Sequence, residues 1–184
     1  MDYSRFDIAG LVLVTPKRHG DERGWFSEVF REDSFRRTAG DVQFVQHNHS
    51  YSKPKGTVRG LHFQLAPKAQ GKLVRCPRGR VLDVAVDLRT SSPTYGSHVA
   101  VELSAANGQQ LWVPAGFAHG FCTLEEDCEL AYMVTNYYSP EHDRGLRWND
   151  PALGIDWPVS EADAILSPKD TRQLLLAELG AVFA

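Results

Sequence analysis

Between Val42 and Tyr137 the chain divides into eight strand-length runs, and this rhythm constrains the fold more than any other feature. The runs cover 42–46, 57–64, 72–76, 81–88, 98–103, 110–113, 117–124 and 129–137, with Gly, Pro, Asn or Ser between them. Short strands at such spacing pack as a sandwich or a barrel. The clearest alternation is VLDVAVDL at 81–88. Leu82, Val84, Val86 and Leu88 share one face, and Val81, Asp83, Ala85 and Asp87 share the other. A jelly roll with a polar pocket between its sheets produces this two-sided pattern, and so does a dimer that buries the outer face of one sheet.

Around this β-rich middle, Leu11 to Val14 reads as a strand. In TPKRHGDERGWFSEVF, Pro16, Gly20 and Gly24 break a charged turn before a second strand from Trp25 to Phe30. Asp33-Ser34 caps a short helix running to Ala39 and closed by Gly40. Near the end, WNDPALGIDWP is turn-rich and SPKDTRQLLLAELGAV predicts a capped C-terminal helix. No repeat, low-complexity tract or long linker divides the 184 residues, so 1–184 is expected to form a single domain. A net charge of −3 gives no basic field for nucleic acid, so an anionic ligand must be met by local Arg and Lys. The first residues lack a charged start followed by a sustained apolar core, and no apolar run approaches the roughly 20 residues of a membrane helix. The expectation is a cytoplasmic protein without a membrane partner. Cys76, Cys122 and Cys128 form no CxxC pair, and their odd number speaks for reduced thiols.

Residues 56–72, GTVRGLHFQLAPKAQGK, place one Arg, one His, two Gln and two Lys in a segment that otherwise reads as strand, turn, strand. Inward positions of a barrel strand are ordinarily apolar, so these groups must be exposed, bonded to each other or turned toward a ligand. We read a ligand site. In that reading His62 removes a proton from a carbon beside a ketone and Lys72 holds the enolate oxygen.

Seven segments in order, DERGWFSEVF (21–30), FVQHNHS (44–50), VRGLHFQ (58–64), AQGKLV (69–74), VAVDLRTSSPTYG (84–96), VPAGFAHGF (113–121) and WNDPALGIDWP (148–158), carry a resemblance over about residues 6–170. The chain resembles the dTDP-4-dehydrorhamnose 3,5-epimerase family. The resemblance implies a mainly-β, cupin-type jelly roll (a double-stranded β-helix), here with short peripheral helices and the C-terminal helix. It implies a homodimer, no metal or other cofactor, and a dTDP-linked 4-keto-6-deoxy sugar inverted at C3 and C5. It also implies His62 as base, Lys72 as enolate holder, Tyr132 as acid and Asp170 as the group that orients the base. Diphosphate and sugar contacts fall on Arg23, Glu28, Gln46, Asn48, Arg59, His119 and Lys169, and Tyr138 falls on the thymine-stacking position. The chain departs at Asp143, where the family usually has Glu, so a nucleotide contact carries a shorter carboxylate.

The residue types fit those roles. A buried carboxylate such as Asp170 or Asp83 fixes the tautomer of His62 and raises its basicity. Inversion needs a second proton carrier on the opposite ring face, and a tyrosine serves if the cost of tyrosinate is lowered. Guanidinium forks at Arg23 and Arg59 suit a diphosphate, and a flat ring such as Tyr138 or Phe26 stacks on a base. Arg59 and His62 are three apart, which sends them to opposite faces of a regular strand. Gly60 between them marks a bulge that realigns the chain, or one of the two serves the other face. The main rival is a metal-dependent cupin isomerase or dioxygenase built on His47, His49, His62 and His119, with PxGxxH at 114–119. Its first motif fails, because His62-Phe63-Gln64 supplies glutamine where a second histidine is required. A single-centre epimerase of a specialised deoxysugar pathway fits the same site residues.

Overall fold

The computed structural model describes all 184 residues. Its strands are β1 (Asp2–Arg5), β2 (Val12–Thr15), β3 (Arg18–Asp21), β4 (Gly24–Ser27), β5 (Gln46–Ser52), β6 (Val58–Gln64) and β7 (Lys72–Arg78), followed by β8 (Arg80–Asp87), β9 (His98–Ser104), β10 (Gln110–Val113), β11 (Phe117–Thr123), β12 (Cys128–Val134) and β13 (Asp143–Gly145). One α-helix, α1 (Glu32–Thr38), precedes β5. Two antiparallel sheets face each other, in the orders β1-β2-β10-β7-β12-β5 and β13-β6-β11-β8-β9, with β3-β4 as a separate hairpin. The sandwich expected from the strand rhythm, and the mainly-β jelly roll implied by the family resemblance, is therefore what forms. Residues 42–45 stay outside the strand that begins at Gln46, and the strand expected over 25–30 ends at Ser27. The helix begins without the expected side-chain cap: Arg31 takes the capping position, while Asp33 accepts from the Ser34 amide.

The alternation of VLDVAVDL is realised on both faces of β8. Val81 and Ala85 join Val74, Leu103, Leu111, Phe117, Phe121 and Leu130 in the core between the sheets. Val84, Val86 and Leu88 pack outward with Leu61, Phe63, Leu146 and Leu153. That outer layer is covered by the chain's own last forty residues, including Trp157, Leu176, Leu179, Val182 and Phe183. A third cluster, with Phe35 against Trp112 at 5.2 Å between ring centroids, seats α1 on the outside of the other sheet.

The C-terminal helix predicted for SPKDTRQLLLAELGAV does not form. The segment contains only two 3-10 turns, at 170–172 and 176–178, with Gln173 and Leu175 extended between them. Leu174 bridges Leu146, and Leu176, Leu179 and Phe183 lie along the outer sheet face. A helix would gather these side chains into one stripe. Spreading them over the sheet buries more apolar area, and packing of this kind overrides helix propensity.

Gly60 does mark the irregularity that the Arg59 and His62 spacing required. His119 pairs with His62, but Phe121 pairs with Arg59, so Gly60 and Leu61 stand opposite Gly120 alone. Leu61 and Phe63 point to the outer layer, and the extra residue returns Arg59 to the inner side with His62. A side chain at position 60 would meet the Gly120 Cα at 2.6 Å with φ at +125°. Gly60→Ala is expected to lower stability by about 1–3 kcal/mol, read by urea denaturation, because both the φ and the close approach exclude a Cβ.

Candidate active site

Catalytic candidates from four regions meet at one end of the sandwich. β6 presents His62, β7 opens with Lys72, β12 presents Tyr132, and the C-terminal segment supplies Asp170. A cavity of about 580 Å³ is lined by His62, Lys72, Tyr132, Gln46, Asn48 and Tyr138, with Asp143 and Lys169 at its wall. Asp170 is 3% exposed and lies 2.5 Å from His62 Nε2 through its Oδ1. Its second oxygen accepts from Ser167 Oγ at 2.8 Å. Burial pushes the Asp170 carboxyl up, but the bonds from His62 and Ser167 and the charge of Lys169 outweigh it and hold the group below its ordinary value. A carboxylate only accepts, so Nε2 carries the imidazole proton and Nδ1 keeps its lone pair.

Lys72 donates to the His62 backbone carbonyl at 3.1 Å, which ties the ammonium to the strand that carries the imidazole. Burial lowers its pKa to about 8, against the opposing charges of Asp143 and Asp83. Burial raises the Tyr132 phenol above its usual range, while the charge of Arg59 and a hydrogen bond with Asn48 act the other way. Arg59 donates to Ser52 Oγ and the Tyr51 carbonyl on β5, so its guanidinium closes the inner side of the sandwich beside Tyr132.

Asp83, one of two carboxylates offered for His62, serves another histidine. Both its oxygens lie about 3 Å from His119 Nε2, at 2.9 and 3.0 Å, and this pair is buried behind the cavity. The reason is register: His119 on β11 shares the inner face of the five-stranded sheet with Asp83 on the adjacent β8. Tyr138 donates to Asp143, which also forms an ion pair with Lys169. The shorter carboxylate at 143 therefore links the ring and the ammonium across the mouth.

Arg23, Phe26 and Glu28 are not brought to this cavity. They lie on or just after the β3-β4 hairpin, where Arg23 pairs with its neighbour Asp21 and Phe26 is 71% exposed. His47, His49 and His62 all line the cavity and His119 lies behind it, but no group of three His, Cys, Asp or Glu side chains is placed to hold a metal ion. His49 instead meets Glu129. Gln64 is the residue whose role composition did not reveal. It is 3% exposed, accepts from the Ser139 amide at 2.8 Å and donates to the Lys68 and Tyr137 carbonyls. Its amide thus fixes the loop that holds Tyr138.

A family profile described as dTDP-4-dehydrorhamnose 3,5-epimerase matches residues 5–178. A curated dTDP-4-dehydrorhamnose 3,5-epimerase from Sinorhizobium fredii is 58% identical over 183 residues, covering 100% of this chain and 93% of its own. The chain belongs to the dTDP-4-dehydrorhamnose 3,5-epimerase family. Members of this epimerase family are isomerase-class sugar epimerases, and so is this chain. The fold is cupin-like: a crystal structure of a dTDP-6-deoxy-D-glucose-3,5-epimerase from Legionella pneumophila, in complex with dTDP-4-keto-L-rhamnose, superposes with a TM-score of 0.92. That chain is 44% identical, with 98% of this chain and 95% of the other covered. A dTDP-4-dehydrorhamnose 3-epimerase from Streptomyces niveus is 39% identical, covering 93% of this chain and 82% of its own.

Within this epimerase scaffold, Gln64→Glu keeps an acceptor for Ser139 but loses both donors. The variant is expected to be less stable by about 1 kcal/mol in urea denaturation, because two part-buried carbonyls lose their donor and face a carboxylate. Hydrogen exchange at Ser139 should accelerate as the loop loosens.

Proposed function

We propose that this chain inverts C3 and C5 of dTDP-4-dehydro-6-deoxyglucose to give dTDP-4-dehydro-L-rhamnose, with His62 as base, Lys72 as enolate holder and Tyr132 as acid. The observation that carries the reading is the short contact between His62 and the buried Asp170 beside a half-buried ammonium. A proton next to a ketone is weakly acidic, and its removal becomes feasible when positive charge waits where the enolate oxygen develops. Nδ1 of His62 takes the proton, Asp170 steadies the resulting imidazolium, and Lys72 donates to the oxygen. Tyr132 returns a proton from the other ring face, and the nearby Arg59 charge lowers the cost of the tyrosinate left behind. Each step is a proton transfer, so the reading asks for no cofactor. Two relatives carry such ligands: the Legionella structure holds dTDP-4-keto-L-rhamnose, and a Bacillus anthracis dTDP-4-dehydrorhamnose 3,5-epimerase holds TDP and PPi. Here Tyr138 would stack on the base, with Gln46, Asn48, Arg59, Asp143 and Lys169 around the sugar and phosphates and His119, held by Asp83, behind them.

The reading further has the whole chain work as one jelly-roll domain in a cytoplasmic homodimer. No helix is long and apolar enough to cross a membrane. Arg23, Phe26 and Glu28 stand exposed on or just after the β3-β4 hairpin and do not line their own cavity, and a second copy would give them a pocket to enter. Light scattering of the purified protein checks the dimer.

Incubating the 4-keto sugar nucleotide in deuterated water, with NMR detection, tests the chemistry. Label at both C3 and C5 is expected. Label at one carbon alone would make it a single-centre epimerase, and no exchange would leave a binding module. His62→Ala should slow exchange by about 10²–10⁴. Tyr132→Phe should retain exchange and lose inversion, whereas equal and complete loss in both variants would contradict separate base and acid roles. Because the ammonium is the form that holds the enolate, kcat/KM should fall on the alkaline side as pH rises through about 8. A profile level through that range would remove Lys72 from the role.

A further inference from the structure

Asp170 reaches His62 from a stretch of chain with little regular structure of its own. The 3-10 turn at 170–172 has no side-chain cap and is joined to the barrel by a clamp on each side. Upstream, Ile165 donates to the Gly56 carbonyl at 3.0 Å and accepts from the Val58 amide at 2.9 Å. Downstream, the Leu174 carbonyl accepts from Arg147 N at 2.7 Å, and the Leu176 amide donates to Asp150 Oδ2 at 2.7 Å. Asp150 lies in the WNDPALGIDWP segment, which none of the roles above uses.

The Asp150 carboxylate is 5% exposed, and its two oxygens have different tasks. Oδ1 accepts from the Ala152 amide at 2.9 Å and caps the 3-10 turn at 151–153. Oδ2 reaches 26 residues ahead to Leu176. A cap needs one acceptor, and Asn is as good a cap as Asp. The second oxygen is therefore the feature that a capping role leaves unexplained. From this geometry we infer that Asp150 is a positioning residue for epimerisation, its second oxygen anchoring the C-terminal segment so that Asp170 stays against His62. The inference rests on the proposed roles of His62 and Asp170. It follows that a change remote from the cavity alters proton abstraction without touching substrate, since small displacements of a catalytic partner are costly.

Asp150→Asn separates the two tasks, because the amide retains one acceptor for Ala152 and turns a donor toward the Leu176 amide. At saturating substrate the variant should incorporate deuterium about tenfold or more slowly, with KM little changed. The deciding measurement is a double-mutant cycle with Asp170→Asn. If Asp150 acts through Asp170, adding Asp150→Asn to Asp170→Asn produces no further loss. An equal loss in both backgrounds, or an unchanged rate in Asp150→Asn alone, overturns the inference. Exchange that stays fast in Asp170→Asn itself would instead fail the base assignment beneath it, so the two failures are told apart. If Asp150→Asn does not fold, Leu176→Pro removes the same bond from the donor side. Proline fits the first position of the 176–178 turn, and Leu175 before it is already extended at φ −71° and ψ 157°. Leu176→Pro should show the same slowed exchange and the same silence in the Asp170→Asn background, and additive losses there would overturn the inference equally.

Discussion

A hydrogen bond from the His62 imidazole to an almost wholly buried carboxylate, Asp170, joins positions 108 residues apart and sets what much of the structure must do. An ionised carboxylate in that environment is unfavourable unless it is fully bonded. Asp170 meets the requirement with His62, with Ser167 Oγ and with the nearby charge of Lys169. To deliver it, the last forty residues run across the outer face of the five-stranded sheet, where Leu176, Leu179, Val182 and Phe183 bury themselves over Val84, Val86 and Leu88. The apolar outer face of β8 and the polar dyad are thus two consequences of one chain path.

The cavity also depends on a local fault in a strand. A regular β6 would place Arg59 with Leu61 and Phe63 in the outer layer, burying a guanidinium among apolar side chains. The bulge against Gly120 moves Arg59 to the inner side, where Ser52 and the Tyr51 carbonyl receive it and its charge acts on Tyr132. Only glycine fits at that crossing. Polar groups can then occupy one end of a sandwich whose remainder is apolar, and none of their buried atoms lacks a partner.

Much of this was legible in the residues, for identifiable reasons. Period-2 alternation at 81–88 assigns faces wherever both are buried against different partners, so the layers of β8 were readable without a structure. Gly60 between Arg59 and His62 pointed to the bulge because two polar side chains three apart cannot otherwise share a face. The joining of Asp170 to His62 came from family resemblance, and periodicity alone could not have paired residues so distant. The C-terminal helix misled because DTRQLLLAELG has helical spacing and propensity, while the decisive contacts, Leu174 with Leu146 and Leu176 with Asp150, are tertiary. Asp83 was offered beside Asp170 as a partner for His62, but strand register gives it His119. Gln64 looked like a failed metal ligand, and its three backbone partners show it to be a loop anchor.

His62 can act as the base only through the nitrogen that Asp170 leaves free. If Asp170 accepts from Nε2, the neutral imidazole must carry its proton there and present Nδ1 as the base. Nitrogen-15 NMR of the histidine-labelled protein, with His62 assigned through His62→Gln and examined with the imidazole neutral, reads this directly. The account predicts an Nε2-protonated tautomer with a strongly downfield Nε2 proton that disappears in Asp170→Asn. An Nδ1-protonated imidazole, or a spectrum indifferent to Asp170→Asn, would contradict it.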